Sequence, residues 1–237
     1  MFPPGQVFHV VNRSAKRVTL FKTASDYAVF EEVLATAVDH GDVALFAYCL
    51  MPNHWHLLLS PSATGALSRF MHWLTTTHAR RWQLHRNMDG LGAVYQGRFK
   101  AVGVSSDHHF LRVCRYVERN ALRASLVHRA EDWTWSSLSS VDEPRVMLSK
   151  WPVGRPADWL SFVNEPHTTA ELEAIRNAIR TSEPFGDARW KESVLGVSPS
   201  RKTGRPRRVK WDGNCPPKVT SDPIEDAGSL RGRAIKD

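Results

Sequence analysis

The sequence predicts an α+β fold in which helices alternate with a mostly antiparallel sheet of the split βαβ kind. Three observations predict it. Short apolar runs with period-two alternation take turns with amphipathic stripes of period 3.6 along the first half of the chain. Two of those runs are separated by Pro52-Asn53 alone, the spacing of a hairpin. The hydrophobic fraction, 42% of 237 residues, is enough to build a core for one domain of ordinary size with appendages.

Val7 to Asn12 alternates and reads as a first strand, with Arg17 to Phe21 a possible return strand. Ser25 is placed to cap a helix whose stripe is Tyr27, Phe30, Val33, Leu34, Ala37 and Val38, and Gly41 stands where a helix C′ glycine belongs. The run Val43 to Met51, the Pro-Asn turn and His54 to Leu59 give two strands. Leu67, Phe70, Met71, Leu74 and His78 mark a second helix. A loop over 86–92 follows, then a strand or hairpin within Val94 to Val104. Ser106 is a good N-cap for a third helix running to about Ala121, and Thr168 with Glu171 forms a capping box for a later one bearing Leu172, Ile175 and Ile179. Residues 201–210 hold six basic side chains, and the last 25 or so residues are Pro/Gly/Asp-rich, the composition of disorder.

A formal net charge of +8 points to a polyanionic partner, because Lys and Arg that neutralise phosphates release condensed counterions. Cys49, Cys114 and Cys215 make no CxxC pair and no even framework, which argues against a disulfide scaffold or zinc knuckle and for a reducing compartment. The opening residues have no basic segment followed by an apolar run, and no apolar stretch approaches the roughly 20 residues that span a bilayer. The expectation is a cytoplasmic protein.

Residues two apart on a strand share a face, so His54 and His56 project together while Trp55 turns to the opposite side. Two imidazoles on rigid backbone make half of a metal site, or a surface pair beside a turn. On the third helix Phe110, Val113, Cys114, Val117 and Ala121 form the buried stripe. Tyr116 and Asn120 stack at i, i+4 on its flank, neither wholly buried nor wholly solvated. An amide oxygen and a phenol there suit a hard cation and a phosphate; they also suit a boundary tyrosine with a helix-terminal asparagine.

The segment Tyr48-Cys-Leu-Met-Pro-Asn-His-Trp-His-Leu-Leu-Leu59 resembles the His-hydrophobic-His signature of HUH single-strand endonucleases. More closely, the chain resembles the REP-associated tyrosine transposases, within the single-tyrosine insertion-sequence transposases. The match continues through Tyr95 to Lys100, Arg115 to Val127, Glu131 to Ser137, Pro184 to Asp187 and Thr203 to Arg207. Ser14 departs from the glycine frequent in relatives, and the stretch before His9 is short.

The resemblance implies an HUH palm, a ferredoxin-like or RRM-like antiparallel sheet with helices, over residues 1–140. A helical extension over 141–197 and a basic tail over 198–237 would follow. It makes His54, His56 and Asn120 ligands of Mg²⁺ or Mn²⁺ and Tyr116 the nucleophile. The implied activity is a single-stranded DNA endonuclease and strand transferase that cuts and rejoins beside REP-like hairpins through a 5′-phosphotyrosine. DNA contacts would come from Arg69, Arg80, Arg81, Arg98, Lys100, Arg112 and Arg115 and from tail residues Arg205, Arg207 and Arg208, the Gly-Arg-Pro tripeptide resembling a minor-groove arm. Trp73 and Trp82 are candidates for base stacking. His9 is a candidate base for Tyr116, or a structural histidine. The partner is single-stranded or hairpin DNA, with the protein a monomer or homodimer, associated with the nucleoid when bound. A DNA-hairpin binder without cleavage activity is the alternative. A lone helix tyrosine and the lack of a P-loop disfavour a replication initiator or relaxase.

Overall fold

The structure, a computed structural model, describes residues 2–87, 92–105, 108–140 and 145–195. Four strands, β1 (Val7–Arg13), β2 (Val43–Met51), β3 (His54–Pro61) and β4 (Lys100–Val104), form one antiparallel sheet in the order β2-β3-β1-β4. Each strand's alternation sends side chains to two separate cores. Phe8, Val10, Tyr48, Leu50, Trp55, Leu57 and Leu59 pack under α1 (Ala24–His40) and α2 (Ala66–His85). On the other face Val7, Phe46, Cys49, Leu58, Val102 and Val104 pack under α3 (His108–Glu118) and α4 (Asn120–Arg123), joined there by α5 (Trp159–Asn164) and α6 (Thr169–Thr181). A last helix is α7 (Ala188–Leu195). The α+β class is as expected, and α5 and α7 are additional to the elements read from the sequence.

Several local expectations need correction. The segment from Arg17 to Phe21 is not a strand: a 3₁₀ turn at Ala15–Arg17 intervenes, and Leu20 and Phe21 both donate backbone N–H groups to the Pro52 carbonyl. Both edges of β1 are already taken, by β3 and β4, so no ladder is open to a return strand. The cap of α1 is Thr23 rather than Ser25, because Asp26 completes a reciprocal box with it. The Asp26 carboxylate also accepts from Lys22 N at 2.8 Å and Arg86 Nη2 at 3.0 Å, which knots the helix start into the core. Gly41 follows α1 in extended conformation, at φ −100°. A side chain is excluded there by proximity, since a Cβ would lie 2.5 Å from the Ala37 carbonyl oxygen. Of 94–104 only the last five residues are strand, with Tyr95 bridging to Ser14. Arg119 interrupts the third helix between α3 and α4. Ser106 lies outside the described residues. The Thr168–Glu171 box caps α6 as expected.

The segments after α4 protect the sheet edges. Leu50 donates its N–H to Trp135 O, and Ser137 donates to Tyr48 O, both at 2.9 Å, so residues 133–137 cover β2. Phe185 lies along β4, its N–H bonded to Gly103 O at 2.7 Å and its carbonyl to Ser105 N at 3.0 Å. Covering both edges removes the open backbone that would recruit another chain.

Candidate active site

The sheet presents three histidines on the α3 face. His56 stands opposite Val11, His54 opposite Arg13 and His9 opposite Leu58, so His9 and His56 meet diagonally across β1 and β3. Their Nε2 and Nδ1 atoms share a hydrogen bond of 2.9 Å, with the rings stacked at 5.1 Å. His54 bonds through Nδ1 to Asn53 Oδ1 at 2.7 Å and lies edge-on to His56, ring centres 5.0 Å apart. An amide oxygen only accepts, so His54 carries its proton on Nδ1 and leaves a lone pair on Nε2. His56 likewise has its Nδ1 engaged, while its Nε2 is buried without a partner. Imidazoles held through Nδ1 and offering Nε2 have the arrangement by which outer hydrogen bonds orient metal ligands.

Electrostatics keep these rings neutral. Burial, then the Arg123 charge, lowers His9 to about 3; burial, then Arg13 and Arg123, lowers His54 to about 4. His56 is held well below the ordinary value, first by burial and then by its histidine and arginine neighbours. A ligand imidazole must be unprotonated, so His54 and His56 are in the charge state that a cation requires at neutral pH.

Tyr116 projects from α3 onto this pair, its ring 5.8 Å from both His9 and His56. It is 4% exposed, and Asn120 is 2% exposed, so both are more buried than the helix pattern alone implies. The cover comes from α4 and from the segment between α5 and α6. His167, between α5 and α6, stands 6.2 Å from the Tyr116 ring, and Arg123 lies 4.3 Å over that ring. Arg123 Nη2 also donates to Asn120 Oδ1 at 2.7 Å. Neither residue was identified from the sequence. Arg123 stands one turn beyond Asn120, where a search along the helix flank would have met it; His167 carries no local signal.

Opposite the histidines, Trp55 is fully buried in the first core and donates Nε1–H to the Tyr95 hydroxyl at 3.2 Å. That hydroxyl shares a hydrogen bond of 2.7 Å with His78 Nδ1, and burial lowers His78 to about 3, so the imidazole is neutral. This chain of bonds fixes the middle of His54-Trp55-His56 from behind.

The basic residues divide. Arg115 is 4% exposed; it donates to the Glu165 and Pro166 carbonyls and lies over Phe162, which places it in the packing of α5. Lys100 donates to the carbonyls of Ile179 and Arg180 at the end of α6, a favourable place for a cation. Arg69 pairs with Asp42, Arg81 with Glu32 and Arg112 with Glu171 at or near the surface. Arg98 is exposed, and Arg80 lines a cavity of about 460 Å³ with Asn12, Thr76, Gln83 and Tyr95. Trp82 donates to Leu20 O and is buried, so it anchors the core, and Trp73 packs against the same core. Arg205, Arg207 and Arg208 lie outside the described residues. Among the described residues no helix is long and apolar enough to cross a membrane.

Residues 5–120 match the model of the IS200-like transposase family. Among curated proteins nothing matches the chain. Solved structures similar to it include two transposases. One is a REP-associated tyrosine transposase bound to a REP hairpin, with 14% identity over 66% of this chain and 94% of that one, at a TM-score of 0.48. The other is described as a transposase from Deinococcus radiodurans R1, with 15% identity over 53% of this chain and 95% of that one, at a TM-score of 0.36.

Proposed function

We propose, on the premise that this chain belongs through residues 5–120 to the IS200-like transposase family, that it cuts and rejoins single-stranded DNA beside REP-like hairpins. The observation that carries the reading is the meeting of Tyr116 with His56, which stands beside His54; both rings have Nδ1 engaged, and the buried Nε2 of His56 is left to a ligand.

The orphaned Nε2 of His56 fits a divalent cation, and His54 supplies a second nitrogen. Among the described residues no group of three or more His, Cys, Asp or Glu side chains forms a metal site. As third ligand we assign the Asn120 amide oxygen, which has a second lone pair beyond the one Arg123 uses. Mg²⁺ or Mn²⁺, when bound, polarises the phosphate and lowers the barrier to attack.

Tyr116 attacks phosphorus. Its phenolic oxygen forms the new P–O bond as the bond to the 3′ oxygen breaks, and the phenolic proton is balanced by the one the 3′-hydroxyl gains. The 5′-phosphotyrosine conserves the diester, so a later 3′-hydroxyl can reverse the step without a nucleotide cofactor. His9, neutral and engaged by His56, holds that ligand's orientation. Arg80, Arg81 and Arg98, with the tail arginines, are the proposed phosphate contacts, and the cytoplasm is the proposed place of action.

The test is incubation of the full chain with labelled single-stranded hairpin DNA and Mn²⁺, followed by a denaturing gel. A covalent adduct is expected, absent in Tyr116→Phe. No adduct over a pool of randomised flanks would leave the DNA-hairpin binder as the reading; an adduct in the Phe variant would displace Tyr116.

A further inference from the structure

We infer that Arg123, with His167 and the Asn120 amide, forms a binding site for a DNA phosphodiester beside the Tyr116 ring. The inference rests on the reading of Tyr116 as nucleophile and gives roles to Arg123 and His167.

The three side chains carry unused polar atoms at one place. Arg123 Nη1, Asn120 Nδ2 and both ring nitrogens of His167 are buried without a hydrogen-bond partner. Asn120 is 2% and His167 9% exposed. All three residues gather on Tyr116: Arg123 over its ring, His167 edge-on to it, Asn120 one turn along. Buried polar groups are ordinarily paired, so several orphans around one phenol need an explanation.

Charge supplies one. Among the described residues Arg123 makes no ion pair with a carboxylate, whereas Arg176 adds positive charge beside it. A half-buried guanidinium among other cations is costly until an anion arrives. A purely structural role, tying Asn120 into the helix end and meeting the Tyr116 side chain, leaves Nη1 of the planar fork unused. That fork matches two phosphate oxygens, and negative charge spread over those oxygens in the transition state is what it would stabilise. Asn120 Nδ2 and one His167 N–H extend the same donor set.

One consequence distinguishes this site from a packing contact. Arg123 holds Asn120 Oδ1, the oxygen assigned to the metal, and its charge also acts on His9, His54 and His56. Without DNA that charge opposes a divalent ion; with a phosphate seated between them the opposition is relieved. Metal and DNA must then bind with positive coupling through Arg123.

The experiment measures Mn²⁺ affinity by electron paramagnetic resonance in full-length Tyr116→Phe, with and without a pool of single-stranded hairpins bearing randomised flanks. Thermal melts verify folding of each variant, and Arg123→Lys accompanies Arg123→Gln. DNA is expected to tighten Mn²⁺ about tenfold or more, and Arg123→Gln to reduce that to less than about twofold. With Tyr116 restored, Arg123→Gln is expected to slow adduct formation by about a hundredfold or more, Arg123→Lys by less. Unchanged coupling in Arg123→Gln overturns the inference, whether or not the rate falls. Coupling reproduced by inorganic phosphate overturns the assignment to DNA. If the parent forms no adduct yet shows the coupling, the cleavage reading fails and the phosphate site stands. If it cuts normally without coupling, the reverse holds.

Discussion

Glu118 offers a quantitative test of how α3 is held. It lies two residues after Tyr116, is 1% exposed, and accepts hydrogen bonds from Trp159 Nε1 at 2.7 Å and Ser137 Oγ at 3.0 Å. Burial pushes its carboxyl up from 4.5 to about 7, against the opposing pull of the Trp159 bond, the Arg155 charge and the Ser137 bond. The folded state therefore binds this proton more tightly than the unfolded chain. The stability it contributes is fully present below pH 4.5 and is lost as pH rises to about 7. At about 1.4 kcal/mol per pH unit, the span amounts to about 3 kcal/mol. Glu118→Gln keeps an acceptor for Trp159 and carries no charge at any pH. The variant should match the parent near pH 4.5 and exceed it by about 3 kcal/mol at pH 8, or roughly 6–12 °C in midpoint for a domain of this size. Thermal unfolding at half-unit steps from pH 4.5 to 8.5 measures the difference, in which the buried histidines' own pH dependence cancels. A difference constant across that range would refute the reasoning, because it would mean that no charge is being forced into the core.

Other perturbations follow from the same structure. His9→Ala should weaken Mn²⁺ binding by about 10–100-fold, read by electron paramagnetic resonance, since His56 loses the bond that orients it; equal affinity would make His9 a packing residue only. Tyr95→Phe leaves the Trp55 N–H and His78 Nδ1 unsatisfied in the core and should cost about 2–4 kcal/mol in urea unfolding. Gly41→Ala should cost about 1–3 kcal/mol, because the Ala37 carbonyl and the Phe70 ring both stand inside the space of a Cβ; a neutral outcome would show that the α1–β2 junction yields.

Period and spacing were enough to find the sheet, its hairpin and the helices over it, because each strand feeds two cores and each helix one. The His54–Trp55–His56 alternation was legible for that reason. What stayed hidden depends on distant partners. Whether Arg17 to Phe21 could be a strand was decided by β4, which occupies the β1 edge from ninety residues away. Arg115 reads as a surface cation on a basic helix; only α5 and the Glu165 carbonyl turn it inward. The burial of Tyr116 likewise depends on His167, beyond α5. Two blocks of the family resemblance with no visible chemistry, Glu131 to Ser137 and Pro184 to Asp187, contain the segments that line the sheet edges. Their conspicuous wording carried the resemblance while their work is backbone pairing.

That pairing makes the division proposed at residue 140 testable. A chain ended there keeps the whole sheet, His9, His54, His56, Tyr116 and Asn120, which is the entire set in the proposed catalytic assignment. It loses the Phe185 pairing on β4, the Trp159 bond to Glu118, the Lys100 contact with α6 and His167 beside Tyr116. Trp159, Val163 and Ile175 are each 2% exposed or less, and burial of such side chains contributes about 1.5–3 kcal/mol apiece. Against a whole-domain stability of about 5–15 kcal/mol, the loss is comparable with everything that holds the fold. The shortened chain should therefore associate through its bare β4 edge or unfold, visible as a concentration-dependent shift in sedimentation and a lost cooperative melt. A monomer with an unchanged midpoint would show that the later helices are an appendage. Association or a lost melt would make them one folded unit with the proposed site, since Tyr116 is covered by His167 from their side as well as by the sheet histidines.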